Sequence, residues 1–292
     1  MDAVITYVDG LDPQWREDYS RFVGSVPEVK RFRDWGTLPF LLRGIRTCLP
    51  FIENVHLLVS GPGQVPAWAD TSRLHVVYHR DIIPAELLPV FNSCTIEMFL
   101  HRIPGLAEEF LYFNDDMFPL LDCTPQDFFI GGKAAMGFSR SIFAGNMYKK
   151  QCKVSDTLAR RALGLRPGLA YIRPQHICSP MRRSLSEAAF KAVEDEISRR
   201  NSRLRTPENP NQYFFLDYLY YGGNAVDRRI SNKHLSQAVY SGEKIAGYIL
   251  HPASKLACIN DVSMGDDKFT AMRDAILGAF RTRFPEKSPY EK

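Results

Sequence analysis

Ten residues, EFLYFNDDMF from Glu109 to Phe118, constrain this chain more than any other stretch. Phe110, Leu111, Tyr112 and Phe113 make an unbroken apolar run, the pattern of a strand covered on both faces of an α/β sheet. The run ends in Asn114, Asp115 and Asp116, then Pro119 follows. Open α/β sheets bind ligands just beyond the carboxyl ends of their strands. Oxygen donors at that place suit magnesium or manganese, and such a cation would in turn hold a diphosphate. Asn-Asp-Asp is also good turn chemistry, so the segment by itself leaves both readings open.

The flanking pattern supplies the rest of a sheet. Residues 2–8 (DAVITYV) read as a first buried strand running into VDGLDP. Thr37 is placed to N-cap a helix whose Leu38, Leu41, Leu42, Ile45 and Leu49 recur at helical spacing, with Pro50 closing it. NVHLLVS (Asn54 to Ser60) and RLHVVYH (Arg73 to His79) read as further strands. A helix from Asn92-Ser93 buries Ile96, Phe99, Leu100 and Ile103. Strand, helix, strand, strand, helix, strand is the rhythm of an α/β sheet with most strands parallel.

The 292 residues can bury a large core, and they are read as one domain, 1–292, with a lid or insert at about 124–168 where the pattern loosens. Further on, Ser184 and Glu187 form a capping box that opens a helix to about Arg200. TPENPNQ breaks the chain before an aromatic helix, YFFLDYLYY. Short strands are expected in QAVYS and GYILH, and a last helix runs from Lys268 to about Phe284.

Composition removes several function classes. No run of about 18 uncharged apolar residues occurs, so no membrane span is expected, and the N-terminus shows no secretory leader. The six cysteines lack C-x-x-C spacing, which argues for reduced thiols in a cytoplasmic protein rather than structural zinc. Arg182, Arg183, Arg199, Arg200, Arg203 and Arg205 cluster, yet no aromatic stacking platform accompanies them, so nucleic acid is not an expected partner. The cluster reads as a solvated helix face or as a surface for phosphates.

Other groups carry possible chemistry. Glu97 and His101 stand four apart and would share one helix face, as an ion pair or as a pair that positions a hydroxyl or metal. His176 sits between Pro174 and Pro180 in RPQHICSP, a stiffened loop suited to a general base or a phosphate contact. Asn260 and Asp261 follow the apolar LACI and repeat the strand-then-carboxylate layout of Asn114. The pair reads either as an ordinary Asn-Asp turn or as the remaining oxygen ligands of one cation. Asp9-Gly10 ends the first strand, a usual place for nucleotide contacts. No G-x-G-x-x-G, P-loop, G-x-S-x-G or His/Cys metal spacing is present. These residues imply a metal-assisted enzyme acting on a phosphorylated, nucleotide-linked substrate.

Four blocks of the chain resemble the Stealth family of hexose-1-phosphate transferases. ITYVDGLDPQW (Ile5 to Trp15) is similar to the opening block. The second runs from RFRD (Arg31 to Asp34) through GQVPAW, HRD, LPVFNS, Ile96-Glu97 and HRIPGL to FLYFNDDMF. RPQHICSP resembles the third and CIND (Cys258 to Asp261) the fourth. The resemblance implies a GT-A/Rossmann-like glycosyltransferase fold, a mostly parallel sheet flanked by helices with a helical or irregular insert. It implies transfer of sugar-1-phosphate from a nucleotide-sugar donor, such as UDP-GlcNAc or a related UDP-sugar, to a glycan or lipid-linked glycan. A nucleoside monophosphate would leave. Magnesium or manganese would be held by Asp115, Asp116, Asn260 and Asp261. Glu97, Asp116, His176 and Arg205 would serve catalysis, while Asp9, Gly10, Arg33, Asn92, His101 and Arg203 would line the substrate pocket. Arg203 and Arg205 both fit the spacing of the arginine. Where the family usually has a small acidic or amide run after RFRD, this chain has Trp35-Gly36-Thr37. A peripheral membrane association is compatible with a lipid-linked acceptor. The alternatives are a metal-dependent glycosyltransferase releasing nucleoside diphosphate, or a non-catalytic sugar-nucleotide or glycan-binding module.

Overall fold

The apolar run at Glu109 is a strand in the computed structural model, which describes residues 1–25, 27 and 32–292. Arg31, the first residue of RFRD, lies outside the described residues. The elements begin with β1 (Asp2–Thr6), α1 (Pro13–Val23), α2 (Leu38–Cys48), β2 (Val55–Val59), β3 (His75–Tyr78), α3 (His79–Ile82) and α4 (Ser93–Glu97). Next come β4 (Glu109–Asn114), β5 (Met117–Pro119), β6 (Phe129–Ile130), β7 (Lys133–Met136), β8 (Phe138–Ser141) and α5 (Met147–Ala162). They are followed by β9 (Tyr171–Pro174), β10 (Ser179–Arg182), α6 (Arg183–Ala192), α7 (Glu194–Arg200) and α8 (Tyr213–Tyr221). The chain ends with β11 (Ala225–Asp227), β12 (Asn232–His234), α9 (Gly242–Leu250), β13 (Leu256–Cys258) and α10 (Asp266–Arg283).

The largest sheet has the strand order β10-β4-β1-β2-β3 and is mostly parallel. β10 runs antiparallel to β4, with Ser179 opposite Tyr112 and Met181 opposite Phe110. Parallel neighbours need long crossovers, which is why helices separate β1 from β2. No helix among the described residues is long and apolar enough to cross a membrane.

By contacts the chain forms two compact units, one of residues 1–4, 77–112 and 125–230, the other of 5–76, 113–124 and 231–292. In the first, α5 packs on α8, and Phe128, Tyr171, Phe190, Tyr213, Phe214 and Phe215 are buried. The stretch 124–168 carries β6, β7, β8 and all of α5; β7 pairs with β6 and β11, and β8 with β9. In the second unit, β13 lies between β12 and β5, and α9 packs on α10. Phe280 stacks on Phe40 at 5.5 Å and meets Phe118 at 4.7 Å, so α2, β5 and α10 share one core. At Gly44 a Cβ would stand 2.8 Å from the Pro119 carbonyl, so glycine is what lets α2 touch β5.

Several local expectations are corrected. Thr37 has a helical backbone and no side-chain cap bond; Pro39 offers no N–H, and the Phe40 N–H goes to the Thr37 carbonyl. Ser184 does not cap: its N–H and hydroxyl both go to the Glu108 carboxylate, while Glu187 pairs with Lys191. The helix breaks at Val193 into α6 and α7. GYILH is not a strand but the end of α9, which Ser241 caps and whose Ile245 and Ile249 are buried four residues apart. A short apolar run is ambiguous between the two periods, and here the cap decides.

Candidate active site

In the second unit, strand register brings two acidic ends together. β5 runs antiparallel to β13 with Met117 opposite Cys258, and the Ile259 N–H donates to the Asp116 carbonyl at 2.9 Å. Asp115 and Asp116 in the β4–β5 turn therefore lie beside Asn260 and Asp261 at the end of β13. The Cys258 thiol lies 3.5 Å from Asp116 Oδ2, and burial with the two neighbouring carboxylates holds it well above its ordinary pKa. Asp115 is pushed up to about 7, first by burial and then by the charges of Asp116, Asp34 and Asp261.

Asp34 and Tyr7 complete this cluster, and sequence reasoning assigned neither a role. The Tyr7 hydroxyl is raised by burial, by Asp34 and Asp9 charge, and by a hydrogen bond to Asp34. The Asp34 carboxylate also accepts the Gly36 N–H at 2.8 Å, a tight bend that requires the Gly36 φ of 69°. The signals available for these two were position alone: Tyr7 follows the first strand and Asp34 ends RFRD.

Arg33 forks onto Asp261, with Nη2 2.9 Å from Oδ1 and Nε 3.2 Å from Oδ2, and reaches the Val262 carbonyl. Its guanidinium lies 4.1 Å from the Phe269 ring centroid. Trp35 meets Phe269 edge-on at 4.7 Å, so the departure at Trp35-Gly36-Thr37 builds an aromatic wall for Arg33. Asp9 is fixed through its backbone, its N–H donating to Gln64 Oε1 and its carbonyl accepting from Gln64 Nε2. Gly10 donates its N–H to the Phe32 carbonyl, and a Cβ would fall 2.2 Å from that oxygen, so no other residue fits.

The donor set fits a hard divalent cation. Asn260 Oδ1 is buried with no hydrogen-bond partner among the described residues, and nearby Asp115 stands in the like charge of Asp116, Asp34 and Asp261. A cation would satisfy that amide oxygen and neutralise the clustered acids. Asp261 accepts bonds from Arg33 yet keeps further lone pairs, since a carboxylate accepts at about four positions.

The first unit holds the other expected groups. Glu97 is 3% exposed; its carboxylate accepts the Gln212 N–H at 2.8 Å and the Tyr112 hydroxyl at 3.4 Å. Burial pushes it up to about 7 against the lowering effects of the Gln212 bond, Arg205 charge, and Tyr112 and Ser93 bonds. Such a carboxyl holds the start of α8 and lies in the field of Arg205. His101 does not share its face. α4 stops at Glu97, and His101 instead packs 5.1 Å from Phe190, where burial lowers it to about 4. It is a neutral imidazole buried against that ring.

Asn92 is likewise scaffold. It is 1% exposed, caps α4 through the Cys94 N–H, and donates to the Ser202 carbonyl and Asn209 Oδ1. It thereby ties down the loop that carries both candidate arginines. Arg203 spends its guanidinium on the Glu86 and Leu88 carbonyls at 2.9 and 3.0 Å. Arg205 is exposed, bonds the Ser93 hydroxyl and lies in the field of Glu97. Of the two, Arg205 presents its charge to solvent.

His176 lies in the loop between β9 and β10, with Nδ1 2.9 Å from the Tyr213 hydroxyl. Tyr148 donates to that same hydroxyl at 3.1 Å. The two tyrosines come from α8 and α5 and were not foreseen, because an aromatic helix reads first as core. Asp217, also on α8, is fully buried with both carboxylate oxygens unbonded among the described residues, and burial followed by Asp156 charge raises it far above its usual range.

Residues 31–136 match the family model described as Stealth protein CR2, conserved region 2. The chain is 29% identical to the capsular polysaccharide phosphotransferase WcwK of Streptococcus pneumoniae, covering 100% of this chain and 99% of that one. It is 33% identical to the exopolysaccharide phosphotransferase SCO6023 of Streptomyces coelicolor, covering 100% of this chain and 52% of the relative. Among solved structures it aligns with the galactosyltransferase LgtC in complex with donor and acceptor sugar analogues. That alignment has a TM-score of 0.42 at 11% identity, covering 94% of this chain and 96% of that one.

Proposed function

The chain belongs to the Stealth family, and from that premise we propose that it transfers sugar-1-phosphate from a nucleotide-sugar donor to a glycan hydroxyl, building a capsular or exopolysaccharide phosphodiester in the cytoplasm. The acceptor oxygen attacks the phosphorus bonded to the sugar. The bond from that phosphorus to the bridging oxygen breaks, and a nucleoside monophosphate leaves with the pair of electrons. Phosphoryl transfer of this kind needs alignment and charge neutralisation more than covalent help.

The observation that carries this reading is the strand register that sets Asp115-Asp116 beside Asn260-Asp261. Those four residues would hold magnesium or manganese, whose chemistry is to neutralise the diphosphate oxygens. Arg33 fixes Asp261 in place, and Asp9 and Gly10 offer a rigid strand end to the donor nucleotide. In the first unit, Arg205 presents a guanidinium suited to phosphoryl oxygens. Glu97 is a positioning residue that holds the start of α8 and lies in the field of Arg205. With Nδ1–H donated to the Tyr213 oxygen, His176 Nε2 is the atom that takes the acceptor proton.

The product decides between this and ordinary glycosyl transfer. A phosphodiester phosphorus signal in the glycan, by 31P NMR after incubation with donor and acceptor, supports it. A product without phosphorus excludes it.

A further inference from the structure

One end of the first unit is apolar and basic in a way its fold does not need. β8 and β9 pair with Ser141 opposite Tyr171, and the Tyr171 hydroxyl donates to the Phe143 carbonyl at 3.1 Å. The residues just past that last pair, Ile142 and Phe143 on one side and Leu169 on the other, therefore share one tip. They are 60%, 83% and 94% exposed. Phe143 and Leu169 are the two most exposed large apolar side chains of the chain among the described residues, and register places them together. A contiguous exposed apolar patch marks an interaction surface, whereas singly scattered ones do not.

The charge beside the tip has one sign. Asn146 caps α5 at the Lys149 N–H, and Lys149, Lys150 and Lys153 occupy the first two turns, with no acid in the first turn. Cations at a helix N-terminus oppose the helix dipole, so helix stability does not explain them. Between residues 138 and 170 the only acid is Asp156, buried and paired with Arg160. An apolar tip flanked by lysines matches the layered chemistry of an anionic bilayer, with acyl chains beneath charged headgroups.

We propose that this tip, Ile142, Phe143 and Leu169 with Lys149, Lys150 and Lys153, docks the protein on an anionic membrane surface. Phe143 and Leu169 insert at the headgroup boundary and the lysines pair with lipid phosphates. Tyr148, next to Met147 on α5, bonds the Tyr213 hydroxyl that contacts His176, so docking brings that histidine to the bilayer. That last consequence rests on the transferase reading; the docking itself does not.

The test is sedimentation of the intact protein with vesicles of phosphatidylcholine, with and without phosphatidylglycerol, which contain neither donor nor acceptor. Binding is expected only with phosphatidylglycerol and weakens as salt rises. Each lysine near the surface contributes about fivefold, so Lys149→Ala/Lys150→Ala/Lys153→Ala should lower affinity on the order of a hundredfold. Phe143→Ser/Leu169→Ser should lower it by roughly tenfold or more with unchanged melting, since both positions are exposed. Absence of wild-type binding, or binding that neither variant weakens, overturns the proposal. So does a dimer abolished by Phe143→Ser in a protein that ignores vesicles, which would make the tip a self-association surface.

Discussion

Arg33 and Asp261, 228 residues apart in sequence, form a forked ion pair with Nη2–Oδ1 at 2.9 Å and side chains only 9% and 17% exposed. The pair joins the RFRD segment to the end of β13 and sets a guanidinium against the acidic cluster. Removing a partner from a mostly buried pair strands the other charge, here beside Asp115. Arg33→Ala should therefore cost about 3 kcal/mol in urea unfolding. Arg33→Lys keeps charge without the fork and should cost about 1 kcal/mol. Losses within about 0.5 kcal/mol for both would mean the pair is ornamental.

Cation binding should be visible without turnover. Saturating manganese at a hundred times its Kd stabilises a protein by about 2.7 kcal/mol, a rise of several degrees in melting temperature. Asp115→Asn/Asp116→Asn should erase the rise, and Asn260→Ala should weaken manganese binding roughly tenfold, because its buried Oδ1 has no other partner among the described residues. A wild-type melt unmoved by manganese or magnesium would remove the metal from the account.

Tyr213→Phe deletes the hydroxyl 2.9 Å from His176 Nδ1 while keeping the ring. If that bond orients the imidazole, kcat should fall roughly tenfold with KM unchanged, and His176→Ala should lower kcat by about a hundredfold or more. Wild-type kcat in Tyr213→Phe would reduce the tyrosine to packing.

Glu97 gives a stability signature whose sign follows from its raised pKa. The buried carboxyl prefers its neutral form, moved from 4.5 to about 7 by burial. Below pH 4.5 it is protonated whether folded or unfolded and costs nothing. As pH rises from 4.5 through about 7 the unfolded chain ionises first, so this group lowers stability across that window and levels off above it. Glu97→Gln should flatten that decline in denaturant melts taken across the range. An identical decline in the variant would assign it to other groups.

The strands were legible because runs such as FLYF, and VHLLV with its single histidine, admit few other structures in a chain of this kind. The pairing of their ends was only half legible: Asn114-Asp115-Asp116 and Asn260-Asp261 look alike in sequence, but the register that puts Met117 opposite Cys258 is a tertiary fact. Glu97 and His101 misled because i,i+4 spacing presumes a continuous helix, and α4 stops at Glu97. Arg203 and Arg205 were indistinguishable until the loop pinned by Asn92 aimed one at backbone carbonyls and left the other outside. GYILH became helix through a serine cap that a strand reading overlooks. Tyr7, Asp34 and Tyr213 stayed invisible because their roles are hydrogen bonds to residues distant in sequence.

The most direct test of the central claim is the nucleotide released when the purified protein is incubated with UDP- and CMP-linked sugars, manganese and a glycan acceptor. Attack at the phosphorus beside the sugar predicts, for a UDP-sugar donor, UMP released in equal amount to phosphodiester formed. UDP as the leaving product would place the attack at the anomeric carbon and contradict the account.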